Sequence, residues 1–334
     1  MTQSDDVAPP SFDPRIAQML EYFQANLARP LQPENLPAIR ERFAGGRDRE
    51  LAPGVATQDI EAGGVPVRLY RPVGEGPLPL HVYLHGGGFV MGSALSGASD
   101  GALSRRAAAS GSLVASVEYR LAPEHPFPAG VEDSYAALCG LVDEAKALGI
   151  ATHAVTVGGA SSGGNFAAVV ALMARDRSGP ALALQLLEIA GTDLTKSSYA
   201  WRRFRPGHDT TRERDLAMVD LYLPTLAARV DPYASPLFAP DLAGLAPAYV
   251  MNAEFDPRGD ECEAYVARLG DAGTPAVART MAGHVHGSLS LKDWPPAQVW
   301  EAEANRALAA ANAAALAGRR LSTEDLQALW SGEG

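Results

Sequence analysis

The hydrophobic pattern of the chain alternates between helical spacing and short apolar runs. After a loose, acidic and Pro-rich start, apolar residues recur at helical spacing over 13–27, and a second helix is predicted over 33–43. Two alternating runs over 56–72 surround Gly63 and Gly64, a pattern that is typical of a β-hairpin.

Six further apolar runs predict strands, and segments with helical spacing separate them. They are residues 80–84, 113–119, 154–158, 182–187, 248–253 and 276–280. Alternation of strands with helices favours a mostly parallel sheet that is covered by helices on both faces. The pattern therefore predicts an α/β fold built as one large domain with an appended cap.

Three segments lie outside this alternation. The stretch 194–238 is longer than an ordinary crossover and contains the polar, Arg-rich run 201–214, so we interpret it as a helical insertion. The Ala-rich segment 297–317 predicts a terminal helix, because alanine is the best helix former. A last short helix is predicted to start at a capping box at Ser322, where its apolar stripe packs against its own domain or, alternatively, forms a dimer contact.

Composition and charge narrow the function classes. The chain is 47% hydrophobic and 20% charged, which is typical of a globular protein. Its formal net charge of -11 opposes binding to nucleic acid and to anionic lipid. Without a start that resembles a signal peptide or a run of about 18 apolar residues, we expect a soluble, cytoplasmic protein with no membrane insertion. Cys139 and Cys262 are too few for a disulfide framework and lack metal-type spacing, so we expect free thiols and no metal site.

The clearest chemical motif lies in "GGASSGGNF", residues 158–166, where an apolar strand meets an apolar helical run. Gly159 to Gly163 match G-x-S-x-G, the pattern of a nucleophile elbow, and this register selects Ser161 as the nucleophile. Ser162 would then begin the helix and point its backbone N–H at a developing oxyanion. A glycine-rich turn without chemistry is the alternative reading of the motif alone.

A second motif, "HGGGF" at residues 85–89, directly follows the strand 80–84. Glycines there leave backbone N–H groups free to approach a substrate carbonyl oxygen. We predict Gly87 and Gly88 as oxyanion donors with Gly86 as a further candidate, and we expect His85 to brace the loop rather than to act as a base.

A serine nucleophile needs a histidine base, and the histidine needs a carboxylate. In chain order after Ser161, Asp256 lies just beyond the strand 248–253 and is the predicted acid, with Glu254 and Asp260 as competitors. Of the two histidines in "AGHVHGS", residues 282–288, we predict His286 as the base and His284 as a loop hydrogen-bonder.

Together these motifs resemble the bacterial hormone-sensitive-lipase-like carboxylesterases, called family IV, of the α/β-hydrolase fold. The resemblance covers roughly residues 13–311. It depends on the two motifs above and on "YRLAPEHPFPAGVED" (119–133), "DPYASPL" (231–237), "AEFDPRGDE" (253–261) and "HVHG" (284–287).

The resemblance implies a mostly parallel eight-stranded sheet flanked by helices, with a helical cap. It also implies Ser161, Asp256 and His286 as the catalytic triad, with the HGGG glycines and the Ser162 N–H as the oxyanion hole. Esters with short to medium acyl chains, no cofactor and a homodimer are further implications. The corresponding division is 1–50 N-terminal cap helices, 51–194 first part of the core, 195–235 cap insertion, 236–318 second part of the core, and 319–334 C-terminal extension.

Five positions depart from the family pattern. Ala160 stands where Asp or Thr is expected, Ser162 where Ala is expected, Ser288 where Phe is expected, and Arg258 where Leu is expected. Glu188 replaces an aliphatic residue near a strand end that should lie beside Ala160. We hypothesise that the carboxylate absent at 160 has moved to 188 and meets buried partners there, because an unpaired buried charge is costly; a solvated Glu188 is the alternative.

The sequence leaves three alternatives open. The same triad would serve a lactone or amide hydrolase, and a non-catalytic ligand-binding protein on a hydrolase scaffold is a rival from another class. The substrate pocket is also undetermined, since Trp201, Phe204, Tyr222 and Leu223 could line it or belong to the core. An Arg-rich run, Arg202, Arg203 and Arg205, could favour an acidic substrate or form a solvated face.

Overall fold

The computed structural model describes residues 12–26, 31–44, 49–203 and 211–330. The strands are β1 (Val55–Ala62), β2 (Val65–Pro72), β3 (Leu78–Leu84), β4 (Leu113–Val117), β5 (Ile150–Ala160), β6 (Leu184–Glu188), β7 (Ala248–Phe255) and β8 (Ala276–Val285). The helices are α1 (Pro14–Asn26), α2 (Leu36–Ala44), α3 (Asp100–Ser110), α4 (Ala129–Asp143), α5 (Ala145–Leu148), α6 (Ser162–Asp176), α7 (Ala200–Arg203), α8 (Arg212–Tyr222), α9 (Gly259–Asp271), α10 (Pro295–Leu316) and α11 (Thr323–Ala328). Short 3₁₀ turns lie at Pro33–Asn35, Leu226–Val230, Pro236–Phe238 and Ser288–Ser290.

The eight strands form one sheet in the order β1-β2-β4-β3-β5-β6-β7-β8. The β1–β2 and β2–β4 pairs are antiparallel, and the other five pairs are parallel. This confirms the mostly parallel eight-stranded sheet, including the hairpin that turns at Gly63 and Gly64. Parallel strands bring their carboxyl ends to one edge of the sheet, where sites in open α/β sheets gather.

The centre of the sheet is buried on both faces. Every residue of β4 and β6 is buried, and α6 is buried over almost its whole length against β5. A strand that is covered on both sides reads as a continuous apolar run, which is why these strands were visible in the sequence. The outer strand β1, in contrast, is mostly exposed.

The structure contains the predicted helices of the insertion and of the C-terminal segment, and it also has helix α3, which was not predicted. The insertion 194–238 contains α7 and α8, as expected. The capping box at Ser322 is present at the start of α11, and Leu326 is buried against the domain's own core. Helix α3 does not follow from the sequence pattern, because its segment "DGALSRRAAAS" has few apolar residues from which to recognise a helical face.

Two further sequence expectations concern thiols and membrane spans. Cys139 and Cys262 are both free, which confirms the thiol prediction; Cys262 is buried and Cys139 is half-buried. Among the helices of the described ranges, none combines the length and the apolar character that crossing a bilayer requires.

Candidate active site

Ser161 lies at a sharp turn between β5 and α6. Its φ of 57° and ψ of −119° fall in a region that non-glycine residues rarely adopt. A side chain at Gly159 or Gly163 would place its Cβ 2.3 Å or 1.9 Å from the backbone oxygen of Leu84, so only glycine fits on either side of the turn. The Ser161 N–H donates to the Glu188 carbonyl at 2.9 Å, which ties the turn to β6. The local geometry is therefore that of a nucleophile elbow.

The carboxyl ends of β7 and β8 bring two further side chains to this turn. The Ser161 hydroxyl lies 3.0 Å from His286 Nε2, so it can donate a hydrogen bond to that nitrogen. On the other side of the ring, His286 Nδ1 lies 2.6 Å from Asp256 Oδ2 and donates to it. Residues that are 125 and 30 positions apart in the chain thus form one hydrogen-bonded series from hydroxyl to imidazole to carboxylate.

The competing acids make other contacts. Glu254 accepts a hydrogen bond from the Gly283 N–H at 2.7 Å at the protein surface. Asp260 lies in the first turn of α9 and accepts from the Ala200 N–H at 2.9 Å. The carboxylate that meets the His286 ring is that of Asp256.

The other two histidines of the motifs support loops. His284 Nδ1 lies 2.8 Å from the Ser288 hydroxyl, and its ring packs against Trp294 and Trp300. This is the loop hydrogen bond that the sequence analysis predicted for His284, with Ser288 as the partner. His85 stacks on Tyr119 with ring centroids 4.1 Å apart, and its Nδ1 is within hydrogen-bonding distance of that hydroxyl. Its contacts are those of a loop brace.

Charges around Asp256 stabilise its ionised form. Burial alone would raise the pKa of Asp256, but the charge of His286 and Arg258 and the hydrogen bonds from both residues hold it well below the usual value. Arg258 contributes its backbone N–H at 3.0 Å and its guanidinium Nη1 at 3.2 Å, both to Asp256 Oδ1. The carboxylate is therefore ionised throughout the neutral range, as the hydrogen-bonded series requires.

A pocket of about 390 Å³ opens over Ser161 and His286. Gly86, Gly87 and Gly88 line one side of it. Ser162, as the first residue of α6, is buried directly behind Ser161. The three glycines thus line the same pocket as Ser161, and Ser162 follows it in the chain; their roles as oxyanion donors stay a prediction.

The pocket walls include residues that the sequence analysis did not single out. Apolar side chains and an arginine come from the N-terminal segment and from the insertion; they are Phe23, Leu31, Met218 and Arg214. Trp201, Tyr222 and Leu223 are instead buried in the core, which was the alternative interpretation of these residues. Phe204 and Arg205 lie outside the described residues, as does the Arg203 side chain, whereas Arg202 is exposed. The pocket could not be recognised from the sequence, because its walls come from separate segments of the chain.

Glu188 is buried and paired. In the β5–β6 register it lies directly opposite Ala160, and it is buried from solvent. Its two oxygens accept from both terminal nitrogens of Arg106 at 2.8 and 3.0 Å, and one also accepts from the Trp300 indole at 2.9 Å. Burial disfavours the charge of Arg106, but the Glu188 carboxylate outweighs burial and raises the Arg106 pKa. The alternative of a solvated Glu188 is therefore wrong.

Comparison with known proteins places this geometry in a family. The sequence pattern of a family described as alpha/beta hydrolase fold matches residues 81–290, which begin within β3 and include the elbow and the segments with Asp256 and His286. This chain belongs to the α/β-hydrolase fold family. The hormone-sensitive-lipase-like resemblance that its motifs predicted is thereby confirmed.

Relatives of this α/β-hydrolase include enzymes of Mycobacterium tuberculosis. The carboxylic ester hydrolase LipN is 40% identical over 237 residues, which cover 69% of this chain and 62% of LipN. The carboxylesterase NlhH is 35% identical over 299 residues, which cover 85% of this chain and 91% of NlhH. The match thus spans somewhat less than two thirds of LipN and nearly all of NlhH.

Solved structures of similar proteins share the whole fold. A hyperthermophilic esterase from Pyrobaculum calidifontis superposes with a TM-score of 0.78 at 34% identity, covering 89% of this α/β-hydrolase and 98% of that chain. An ester-hydrolase from the metagenome of Lake Arreo, solved with a phosphonate derivative, superposes with a TM-score of 0.80 at 33% identity, covering 90% and 98%.

Proposed function

We propose that this protein is a serine carboxylesterase in which Ser161 is the nucleophile, His286 the general base and acid, and Asp256 the supporting carboxylate. The observation that carries the proposal is the series of contacts at 3.0 and 2.6 Å that joins these three side chains, of which Ser161 and His286 line one pocket. The names of the relatives, which are ester hydrolases and esterases, support the same reaction class.

The reaction proceeds by acyl transfer to the serine and then to water. As Ser161 attacks the ester carbonyl, His286 Nε2 takes the hydroxyl proton and later gives it to the departing alcohol. A water molecule then attacks the acyl-enzyme with the same histidine as base; the bond between the acyl group and Ser161 Oγ breaks, the histidine returns the proton to that oxygen, and the carboxylic acid is released. Asp256 accepts a hydrogen bond from His286 Nδ1, which fixes the ring, and it stabilises the imidazolium that forms in both steps.

The oxyanion hole consists of the backbone N–H groups of Gly87, Gly88 and Ser162. Both glycines have positive φ, 134° and 61°, a conformation that a side chain would strain. The Ser162 N–H lies at the N-terminus of the 15-residue helix α6, where the helix dipole favours negative charge. Such donors stabilise a developing oxyanion by about 3–4 kcal/mol each.

The substrate is an ester with a short to medium acyl chain. The pocket volume of about 390 Å³ lies near the lower end of the range for small-molecule sites, roughly 300–1,000 Å³. A series of 4-nitrophenyl esters tests this assignment. We expect kcat/KM to peak at short or medium acyl chains, and a peak at long acyl chains would contradict it.

The N-terminal helices and the insertion form a cap over the pocket, as the division 1–50 and 195–235 proposes. Support comes from the pocket walls, to which Phe23 and Leu31 contribute from the first segment and Met218 from the second. We keep the remaining boundaries, 51–194, 236–318 and 319–334, as part of the same proposal. The homodimer and the cytoplasmic location stay predictions from the sequence.

The Ser161→Ala variant is the direct test of the nucleophile. We expect a loss of at least about 10⁴-fold in kcat, and loss of labelling by a phosphonate probe, because the attacking oxygen is absent. The adjacent Ser162→Ala variant is the matched comparison: it removes a hydroxyl but keeps the backbone N–H, so its loss should be much smaller. Full esterase activity in Ser161→Ala would overturn the proposal.

Matched ester, lactone and amide substrates test the reaction class. The same groups can attack all three carbonyls, but an amide leaving group must be protonated earlier than an alkoxide. We expect the ester to have the highest kcat/KM. A lactone or amide that reacts faster than its matched ester would reassign the protein within the hydrolases.

A further inference from the structure

Arg258 lies between the proposed catalytic carboxylate and the cap. Its side chain is buried, and its Nη1 lies 3.2 Å from Asp256 Oδ1 and 3.1 Å from His286 Nδ1. Nδ1 donates its own hydrogen to Asp256 and cannot also accept one from the guanidinium. The 3.1 Å approach therefore brings a permanent positive charge against the ring that becomes positive in the proposed reaction.

This contact opposes the proposed mechanism unless another charge offsets it. Two like charges a few ångströms apart repel strongly where water is excluded. When His286 takes the serine proton, Asp256 must stabilise two cations, the imidazolium and Arg258, with one carboxylate. With leucine at position 258, the residue that the family resemblance leads us to expect, the second cation would be absent.

Asp215, on helix α8 of the insertion, supplies the offsetting charge. It is buried, and one of its oxygens accepts a hydrogen bond from Arg258 Nη2. Its other oxygen lies 3.1 Å from the Lys196 ammonium. Burial disfavours the charge of Asp215, but Arg258 and Lys196 outweigh burial and hold its pKa below the usual value.

The surrounding cluster confirms that Asp215 is held in place. Lys196 lies 3.4 Å from Glu261, which also accepts a hydrogen bond from the Trp201 indole at 3.2 Å. The Arg258 guanidinium lies over the Trp201 ring, 5.2 Å from its centroid. Two residues of the insertion, Asp215 and Trp201, thus contact Arg258, whose Nη1 faces Asp256, and Lys196 contacts Asp215 in turn.

We infer that Asp215 is a positioning residue of the cap, which pairs with Arg258 and so leaves Asp256 more available to stabilise the His286 imidazolium. The inference depends on the proposed function. It makes the cap a participant in the chemical step through Arg258, in addition to its place in the pocket wall.

A double-mutant cycle on kcat tests the inference. We would measure kcat and KM for 4-nitrophenyl acetate in the wild type, Asp215→Asn, Arg258→Leu and the double variant, each normalised to active sites by phosphonate titration. Asp215→Asn should lower kcat at least ten-fold with KM changed less than three-fold, because Arg258 then loses the Asp215 charge and competes more strongly with the His286 imidazolium for Asp256. In the Arg258→Leu background the same substitution should lower kcat less than two-fold.

Two further comparisons separate charge from structure. Asp220→Asn is the matched control, since Asp220 lies on the same helix in an exposed ion pair with Arg229, and its kcat should match the wild type. If Asp215→Asn does not fold, Asp215→Glu and Asp215→Gln form a second pair of equal size, in which the charged variant should have at least ten-fold higher kcat.

The results that overturn the inference are specific. An equal loss of kcat from Asp215→Asn in both backgrounds, a loss confined to KM, or a similar loss in Asp220→Asn would each show a merely structural role. Failure of the proposed function is distinguishable, because the wild type would then neither hydrolyse the ester nor be labelled at Ser161, and both proposals would fall together.

Discussion

The buried ion pair between Glu188 and Arg106 permits a stability prediction that does not depend on the reaction. The Glu188→Gln substitution keeps the size of the side chain but removes its charge, which leaves the guanidinium of Arg106 without a counter-charge. The Glu188 and Arg106 side chains are only 1% and 8% exposed, so water cannot replace the lost partner. Leaving one member of a buried ion pair unmatched costs about 3–5 kcal/mol of the free energy of unfolding.

The matched control is the ion pair of Arg105, which directly precedes Arg106 in helix α3. Arg105 pairs with Glu301 of α10 at 2.8 Å, but these side chains are 35% and 27% exposed. Such a partly solvated pair contributes about 0–1 kcal/mol, so Glu301→Gln should be nearly silent.

Thermal unfolding followed by circular dichroism compares the two variants. At roughly 2 °C per kcal/mol for a domain of this size, Glu188→Gln should lower Tm by on the order of 6–10 °C, and Glu301→Gln by less than about 2 °C. Equal shifts for the two variants would refute the reasoning. A Glu188→Leu/Arg106→Leu double variant should recover much of the loss, because apolar residues can replace a buried pair at little cost.

Three further predictions concern packing and pH. Gly163→Ala should destabilise the fold by about 3 kcal/mol or more in urea titrations, because its Cβ would collide with the backbone. Gly270→Ala should be neutral or slightly stabilising, because Gly270 is an exposed position of α9 where a Cβ meets nothing within 4 Å. Burial raises the pKa of Glu261 to about 7, so the folded state holds this proton more tightly than the unfolded state. Up to about 3 kcal/mol of stability should therefore be lost as pH rises from 4.5 to 7. The Tm of Glu261→Gln should fall less over this pH range than the Tm of the wild type. Burial lowers the pKa of His284 to about 4, so stability should be lost as pH falls from 6.5 towards 4. Over that interval the Tm of His284→Phe should fall less than the Tm of the wild type. An equal fall would contradict the lowered pKa of His284.

The predicted elements and site residues were those with a local signal. Strands buried on both faces produce apolar runs, and the elbow needs glycine at 159 and 163 whatever surrounds it. Glu188 could be placed opposite Ala160 because, in the α/β-hydrolase topology, the strand with Glu188 pairs with the elbow strand, and the elbow was recognised from its motif. Helix α3 left no such signal, and with it Arg106 was missed.

By itself, the sequence determined the order of the strands and of most helices. It also determined which serine, histidine and aspartate meet, because each of the three stands in a motif whose backbone demands are local. Only the tertiary structure decided which charges are paired. Arg106 and Glu188 are 82 residues apart, and Arg258 and Asp215 are 43 apart on different elements. Charged side chains have no periodic signature, and a buried charge is tolerated only where folding brings an opposite charge within a few ångströms. Partners of that kind are set by how the elements pack, which no local pattern along the chain encodes.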